Sequence, residues 1–276
     1  MILQRPAGDQ RAGLPLDRDR EGVYSRVGVT GGKQEGGRVS GELTAGRVLS
    51  EQQRYYNERA AEYDQWWLRI GRYDRGEAEN AVWFAEQEQV RVAFDTLDWH
   101  GDIVELAGGT GIWTEWLALR ARSLTVLDGS REMISINAAR LSAHGLSQKA
   151  THHKLDLFEW EPERTWDGLF IGYFMSHVPA ASYEPMLAAI AAAIRPGGVF
   201  GMLDGRREER SSSADQPPPG PESEIMTRRL NDGREFTIVK RYDEPDDLRA
   251  ALARHGITAD VRVTATHFIY ATGRKE

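Results

Sequence analysis

The stretch Ile103-Val104-Glu105-Leu106-Ala107-Gly108-Gly109-Thr110-Gly111 reads as a buried strand running into a glycine-rich turn, with a helix following from about Ile112. Glycine tolerates positive φ and carries no side chain to clash, so such a turn lets the backbone approach a nucleotide closely. Gly109-x-Gly111-x-x is followed by Thr114, so the third small residue of the dinucleotide fingerprint is missing. Glu105 points the same way. A carboxylate facing this turn repels a pyrophosphate and suits a cofactor that carries positive charge.

Outward from this turn, strands and helices alternate from Asp102 onward, which is the sequence form of a mostly parallel sheet with helices on both faces. The expected order is strand 102–106, helix 112–121, strand 123–127, helix 130–143, strand 150–155, strand 168–172, helix 182–194 and strand 198–203. The alternation breaks at 205–224, where Ser211-Ser212-Ser213 and Pro217-Pro218-Pro219 cannot continue a helix or a central strand, and an irregular insertion is placed at about 205–235. A strand-like stretch from Glu235 to Arg241, a helix from Pro245 to His255 and an antiparallel pair at 257–263 and 266–271 complete the chain.

Several of these stretches together resemble the class I S-adenosylmethionine-dependent methyltransferases. Glu105, Ala107, Gly109 and Gly111 match that family's first motif, and Leu124-Thr125-Val126-Leu127-Asp128 supplies the acidic residue at the end of the next strand. Leu155-Asp156-Leu157 is similar to the adenine-binding acidic position, Trp166 to Tyr173 to the strand before the catalytic loop, and Ile194 to Phe200 to the helix-to-strand turn. The resemblance implies a doubly wound, mostly parallel seven-stranded α/β sheet with amino-terminal lid helices. It implies S-adenosyl-L-methionine as cofactor, S-adenosyl-L-homocysteine as product, and Asp128 as the ligand of the ribose hydroxyls. The cofactor contacts it suggests are Tyr56, Tyr63, Glu105, Ala107, Gly109, Thr110, Gly111, Trp113, Asp128, Gly129, Met133, Asp156, Leu157 and Gly172. Oxygen is the commonest acceptor in the family, with nitrogen and carbon open. The expected substrate is a small molecule, such as a secondary metabolite. A protein that binds the cofactor without methylating, as a cyclase or interaction module, is the alternative, and a nicotinamide oxidoreductase is disfavoured by Thr114 and Glu105.

In an open α/β sheet ligands bind beyond the carboxyl ends of the strands, where Glu105, Asp128, Asp156 and Gly172 all fall. Methyl transfer is an in-line displacement, so alignment of the two reactants, worth roughly 7–11 kcal/mol, outweighs a general base. His177, just after the fourth parallel strand, is the candidate base or orienting residue, and Tyr173 the candidate contact to cofactor or substrate. Arg69, Arg72 and Arg75 are either solvated or recognise an anionic substrate group. The run Arg206 to Arg210 reads as a solvated charge run, and Asp243 to Asp247 as an acidic helix start. His152 and His153, adjacent on a strand, face opposite sides, and no metal site is expected.

Upstream of the sheet, residues 47–100 read as a helical lid. Tyr55, Tyr56, Arg59, Ala60, Tyr63 and Trp67 recur at helical spacing behind an N-cap at Ser50. A second helix over 77–97 turns Ala81, Phe84, Ala85, Val92 and Phe94 inward. Residues 1–46 lack any sustained period and read as a flexible extension or an oligomerisation arm. A net charge of −7 argues against a nucleic-acid partner, and the absence of cysteine removes disulfides, thiolate nucleophiles and cysteine-ligated metals. The longest apolar helical run, Met186 to Ile194, is far too short to cross a bilayer, and Arg5, Pro6 and Asp9 interrupt any signal pattern, so a cytosolic protein is expected.

Overall fold

The computed structural model describes residues 45–220 and 222–276. The expectation for residues 1–46 therefore lies outside the described residues, except that Ala45 and Gly46 already belong to the first helix.

Strands β1 (Asp102–Leu106), β2 (Ser123–Asp128), β3 (Ala150–Lys154), β4 (Trp166–Gly172), β5 (Ile194–Gly205), β8 (Ile257–Val263) and β9 (Phe268–Lys275) form one seven-stranded sheet in the order β3-β2-β1-β4-β5-β9-β8. The first five run parallel, and β9 is antiparallel to both β5 and β8. Ile103, Val104 and Leu106 are fully buried, with Glu105 among them, because β1 lies at the centre of the sheet with helices on both faces. One core packs the sheet against helices α6 (Ala180–Ala193) and α7 (Pro245–Arg254). The other packs it against α3 (Glu77–Phe94) and α4 (Ile112–Ala118) through a dense aromatic set that includes Trp83, Phe94, Trp99, Trp113 and Phe170. The chain reverses direction across the sheet between β1 and β4, and the crevice that this opens at their carboxyl ends positions the site.

The region before the sheet departs from expectation in two ways. The single lid helix is broken: α1 (Ala45–Arg59) ends in a 3-10 turn at Ala60–Glu62 before the short α2 (Tyr63–Trp67). Ser50 lies inside α1 and caps nothing. In α3 the inward face is Trp83, Glu86, Val90 and Phe94, while Phe84 and Val92 stand 43% and 56% exposed. The apolar pattern missed this face because its second position is a glutamate. Glu86 is satisfied inside by Thr264 Oγ1 and by the backbone N–H groups of Thr266 and His267, both at 2.8 Å.

Between β5 and Ile225 the described residues carry only a 3-10 turn at Glu209–Ser211, and Ile225–Arg229 (β6) pairs antiparallel with Glu235–Val239 (β7) as a separate two-stranded hairpin. Its inner face, Met226, Phe236 and Ile238, packs with Leu230 on Tyr55 of α1. A two-stranded ribbon is only marginally stable alone, so α1 and the hairpin support each other.

Candidate active site

Two glycines shape the turn after β1. Gly111 holds φ 92° and a Cβ there would lie 2.9 Å from Cγ of Asn137, while Gly109 holds φ 53° with space on the crevice side. Ala107, a non-glycine residue, also sits at φ 53°. Asn137, fully buried on α5 (Arg131–Ala143), braces the turn from behind by donating to the carbonyls of Gly108 and Gly109 and to Thr114 Oγ1 at 3.2, 3.3 and 2.7 Å. His152 Nε2 in turn bonds Asn137 Oδ1 at 3.0 Å, which gives that histidine a structural role.

Asp128 ends β2 beside the turn. Its two carboxylate oxygens accept the N–H groups of Ser130 and Gly109 at 2.7 and 2.8 Å. Burial raises its pKa although both bonds favour the anion. Glu105 lies behind the turn, 2% exposed, with Oε2 lacking any partner. Burial, opposed by a hydrogen bond from Thr114 and reinforced by the Asp128 charge, pushes its pKa up to about 8. A buried carboxyl with an unfilled oxygen, held neutral until a cation arrives, fits a positively charged ligand.

The crevice itself holds about 380 Å³. It is bordered by Tyr56, Tyr63, Ala107, Gly109, Asp128, Gly129, Met133, Asp156, Leu157, Gly172, Tyr173 and His177. These expected residues are brought together. Glu105, Thr110, Gly111 and Trp113 are not on its wall: Gly111 shapes the turn, and Trp113 is buried in the aromatic core against Phe94 and Phe170. Sequence reasoning missed Leu49, Gln52, Gln53, Ser130, Phe158 and Phe174, which also line it. Three of these lie on α1, where their polar or small apolar character gave no signal of a ligand.

A family profile described as a methyltransferase domain matches residues 103–198. Among solved structures, DhpI in complex with SAH is similar to this chain at 32% identity and a TM-score of 0.64, the match covering 84% of this chain and 98% of that one. This chain belongs to the S-adenosylmethionine-dependent methyltransferases. The DhpI-SAM-HEP complex gives 34% identity and the same TM-score of 0.64, covering 82% of this methyltransferase and 97% of DhpI. A S-adenosylmethionine-dependent methyltransferase from Clostridium acetobutylicum ATCC 824, at 17% identity and a TM-score of 0.56 over 80% of this chain and 99% of that one, shares the fold. No curated protein matches the sequence.

The methyltransferase carries a second, much smaller cavity of about 60 Å³ next to the crevice, and Tyr56, Tyr63, Tyr173 and His177 border both. Tyr173 holds φ 57°, a costly conformation for an aromatic residue. Its ring packs edge-on to Trp66 at 4.8 Å between centroids, and its buried hydroxyl has no partner. His177 Nδ1 lies 2.7 Å from the Val239 carbonyl, so Nδ1 carries the proton and Nε2 accepts the Tyr56 hydroxyl at 2.8 Å. Burial, and then the nearby Lys240 charge, holds the imidazole well below its usual pKa.

Arg69 is buried and Arg72 and Arg75 are partly buried, and none of the three lines the crevice or the second cavity. Arg69 is buried over the Trp83 ring and donates to the Arg210 carbonyl at 2.5 Å. Arg75 donates to the Ser212 carbonyl at 2.7 Å, and Arg72 bonds Asp215 at 2.9 Å. Trp66 Nε1 adds a bond to the Ser211 carbonyl at 2.7 Å. Backbone groups of an irregular segment need partners, and these side chains supply them. The 206–210 run is likewise more than a solvated stretch, since Arg206 and Glu208 border the second cavity.

Proposed function

We propose that this methyltransferase transfers the methyl group of S-adenosylmethionine to an oxygen of a small molecule seated in the second cavity. One observation carries the reading: Tyr56, Tyr63, Tyr173 and His177 form a common wall between that cavity and the crevice beside the glycine turn. DhpI, a relative, is solved as a complex with SAM and HEP together, which supports a two-ligand site.

In this reading Gly109, Asp128, Gly129, Met133, Asp156, Leu157 and Gly172 hold the donor, with Asp128 taking the ribose. Glu105 meets its positive charge through the turn. Helix α1 acts as the lid, and Gln52 fixes it by accepting from Val239 N at 2.9 Å and donating to the His177 carbonyl at 3.1 Å. The bound donor supplies an activated methyl group on a sulfonium. The chain's own contribution is alignment and exclusion of water, with Tyr173 and His177 at the junction where the reactants meet. His177 works here as a neutral acceptor that orients Tyr56, because both of its nitrogens are engaged.

The test is tritium transfer from labelled donor across a panel of oxygen, nitrogen and carbon acceptors, with products identified by NMR. Methyl on oxygen is expected. Transfer confined to nitrogen or carbon overturns the acceptor assignment, and transfer only to macromolecules overturns the small-molecule reading.

A further inference from the structure

The second cavity has an unbalanced charge. Arg59, Arg206, Arg228 and Lys240 border it, and Glu208 is the one carboxylate among its lining residues. Glu208 is already taken by Arg210, through bonds of 2.8 and 3.0 Å. Arg206 turns to the carbonyls of Thr264 and Ala265 at 2.8 and 3.0 Å.

Arg59 is 7% exposed, and among the described residues no carboxylate pairs with it. It lies among the rings of Tyr55, Tyr63 and Tyr73, bonds the Tyr73 hydroxyl at 3.3 Å, and leaves Nε without a partner. Arg228 uses Nη1 on Ser212 Oγ and Gln216 Oε1, and its buried Nε is also empty. Lys240, 8% exposed, donates to Ser176 Oγ at 2.6 Å and reaches Asp204 at 3.4 Å, where that carboxylate is shared with the N–H groups of Ser176 and Gly205. A buried guanidinium with unfilled donors and no counter-charge is unfavourable by itself and becomes favourable once an anion fills the space.

Among the described residues the cavity also lacks an unengaged base. Both nitrogens of His177 are bonded, Glu208 is held ionised by Arg210, and Asp204 is bonded on both oxygens. A hydroxyl acceptor could shed its proton only through the Tyr56 hydroxyl to an imidazole that burial makes a weak base.

We propose that the acceptor is a small molecule bearing a compact oxyanion, held by Arg59, Arg228 and Lys240, and that an oxygen of this oxyanion takes the methyl group. An oxyacid group offers one oxygen to the cations and another to the donor. A lone pair of the ionised oxygen forms the new carbon–oxygen bond as the carbon–sulfur bond breaks. The sulfur keeps the bonding pair and becomes a neutral thioether, and no proton moves. The products are a methyl ester of the oxyacid and S-adenosylhomocysteine. This inference rests on the proposed oxygen methylation at the same site.

The test uses the full chain saturated with S-adenosylhomocysteine and titrated calorimetrically with matched phosphonates, carboxylates and sulfonates and their neutral methyl esters. Saturable binding of one anion class is expected, with its neutral ester weaker by about tenfold or more. Arg228→Gln and Arg59→Lys should each weaken the anion by a similar factor while S-adenosylhomocysteine affinity, measured separately, reports that the fold is intact. Preference among the three classes identifies the oxyacid. Equal binding of esters and anions overturns the proposal in the unmutated protein, whatever the variants do. Tritium transfer run in parallel separates the two readings: labelled neutral alcohols without anion dependence leave oxygen methylation standing and remove the oxyanion, whereas anion binding with methyl found only on nitrogen or carbon removes the oxygen reading itself.

Discussion

The Tyr56 hydroxyl donates to Nε2 of His177 across 2.8 Å and, with the Gln52 bond to the His177 carbonyl, joins helix α1 to the loop that follows β4. Tyr56 and His177 border the crevice and the second cavity. Tyr56→Phe keeps the ring and removes the donor, leaving a buried imidazole nitrogen unpaired, which should cost about 1–3 kcal/mol of stability. Turnover should fall as the shared wall loosens. Urea denaturation and steady-state kinetics check it, and an unchanged midpoint together with unchanged turnover would show that the bond is incidental.

Asp128→Ala removes the acceptor of two turn N–H groups and the proposed ribose ligand together. Affinity for S-adenosylhomocysteine should drop by about 2–3 kcal/mol in calorimetric titration. Retained affinity would place the sugar elsewhere.

Glu105 has a raised pKa of about 8 from burial, so in the ligand-free protein at pH 7 it is mostly protonated. Because the folded value exceeds the ordinary 4.5, its contribution to stability is fully present below about 4.5 and is lost as pH rises through about 8. A cationic ligand favours the carboxylate, so binding should release a proton at pH 7 and affinity should rise with pH until about 8. Titration of S-adenosylmethionine in buffers of different ionisation enthalpy measures that release, which Glu105→Gln should abolish.

Asn137→Leu preserves volume but strips partners from the carbonyls of Gly108 and Gly109, from Thr114 and from His152. Stability should fall by about 2–4 kcal/mol in chemical denaturation, with donor affinity falling alongside because the turn loses its brace.

Arg69→Met should leave donor affinity unchanged and speed amide exchange over residues 209–213, since the Arg210 carbonyl loses its buried donor. Exchange no faster than in the parent protein would mean that Arg75 and Trp66 suffice to hold the segment.

The parts of this protein that were legible in its sequence are those encoded locally. The run from Ile103 to Gly111 needs no distant residue to announce a buried strand and a tight turn, and Asp128 follows from the end of an equally plain strand. The face of α3 was misread because Glu86 looks solvated until Thr264 and His267 are known to enclose it. Strand β6 was missed because Ile225–Arg229 carries two arginines and a threonine, and only pairing with β7 under α1 makes it a strand. The cationic cavity was hidden for the same reason. Arg59, Arg228 and Lys240 come from a helix, a hairpin strand and the residue after its partner, and no spacing rule joins them. Arg69, Arg72 and Arg75 looked the better anion site because they cluster in sequence, yet they serve backbone carbonyls and Asp215.

That last arrangement bears on how such an enzyme diversifies. Trp66, Arg69 and Arg75 grip the 205–224 segment by its peptide oxygens, a group every residue type possesses. Part of the route of the segment is thus fixed from outside it, by contacts that do not depend on the side chains of Ser211 and Ser212. Ser212, Gln216 and Pro218 face the second cavity from this segment, so successive replacements there can retailor what enters while the scaffold keeps its shape.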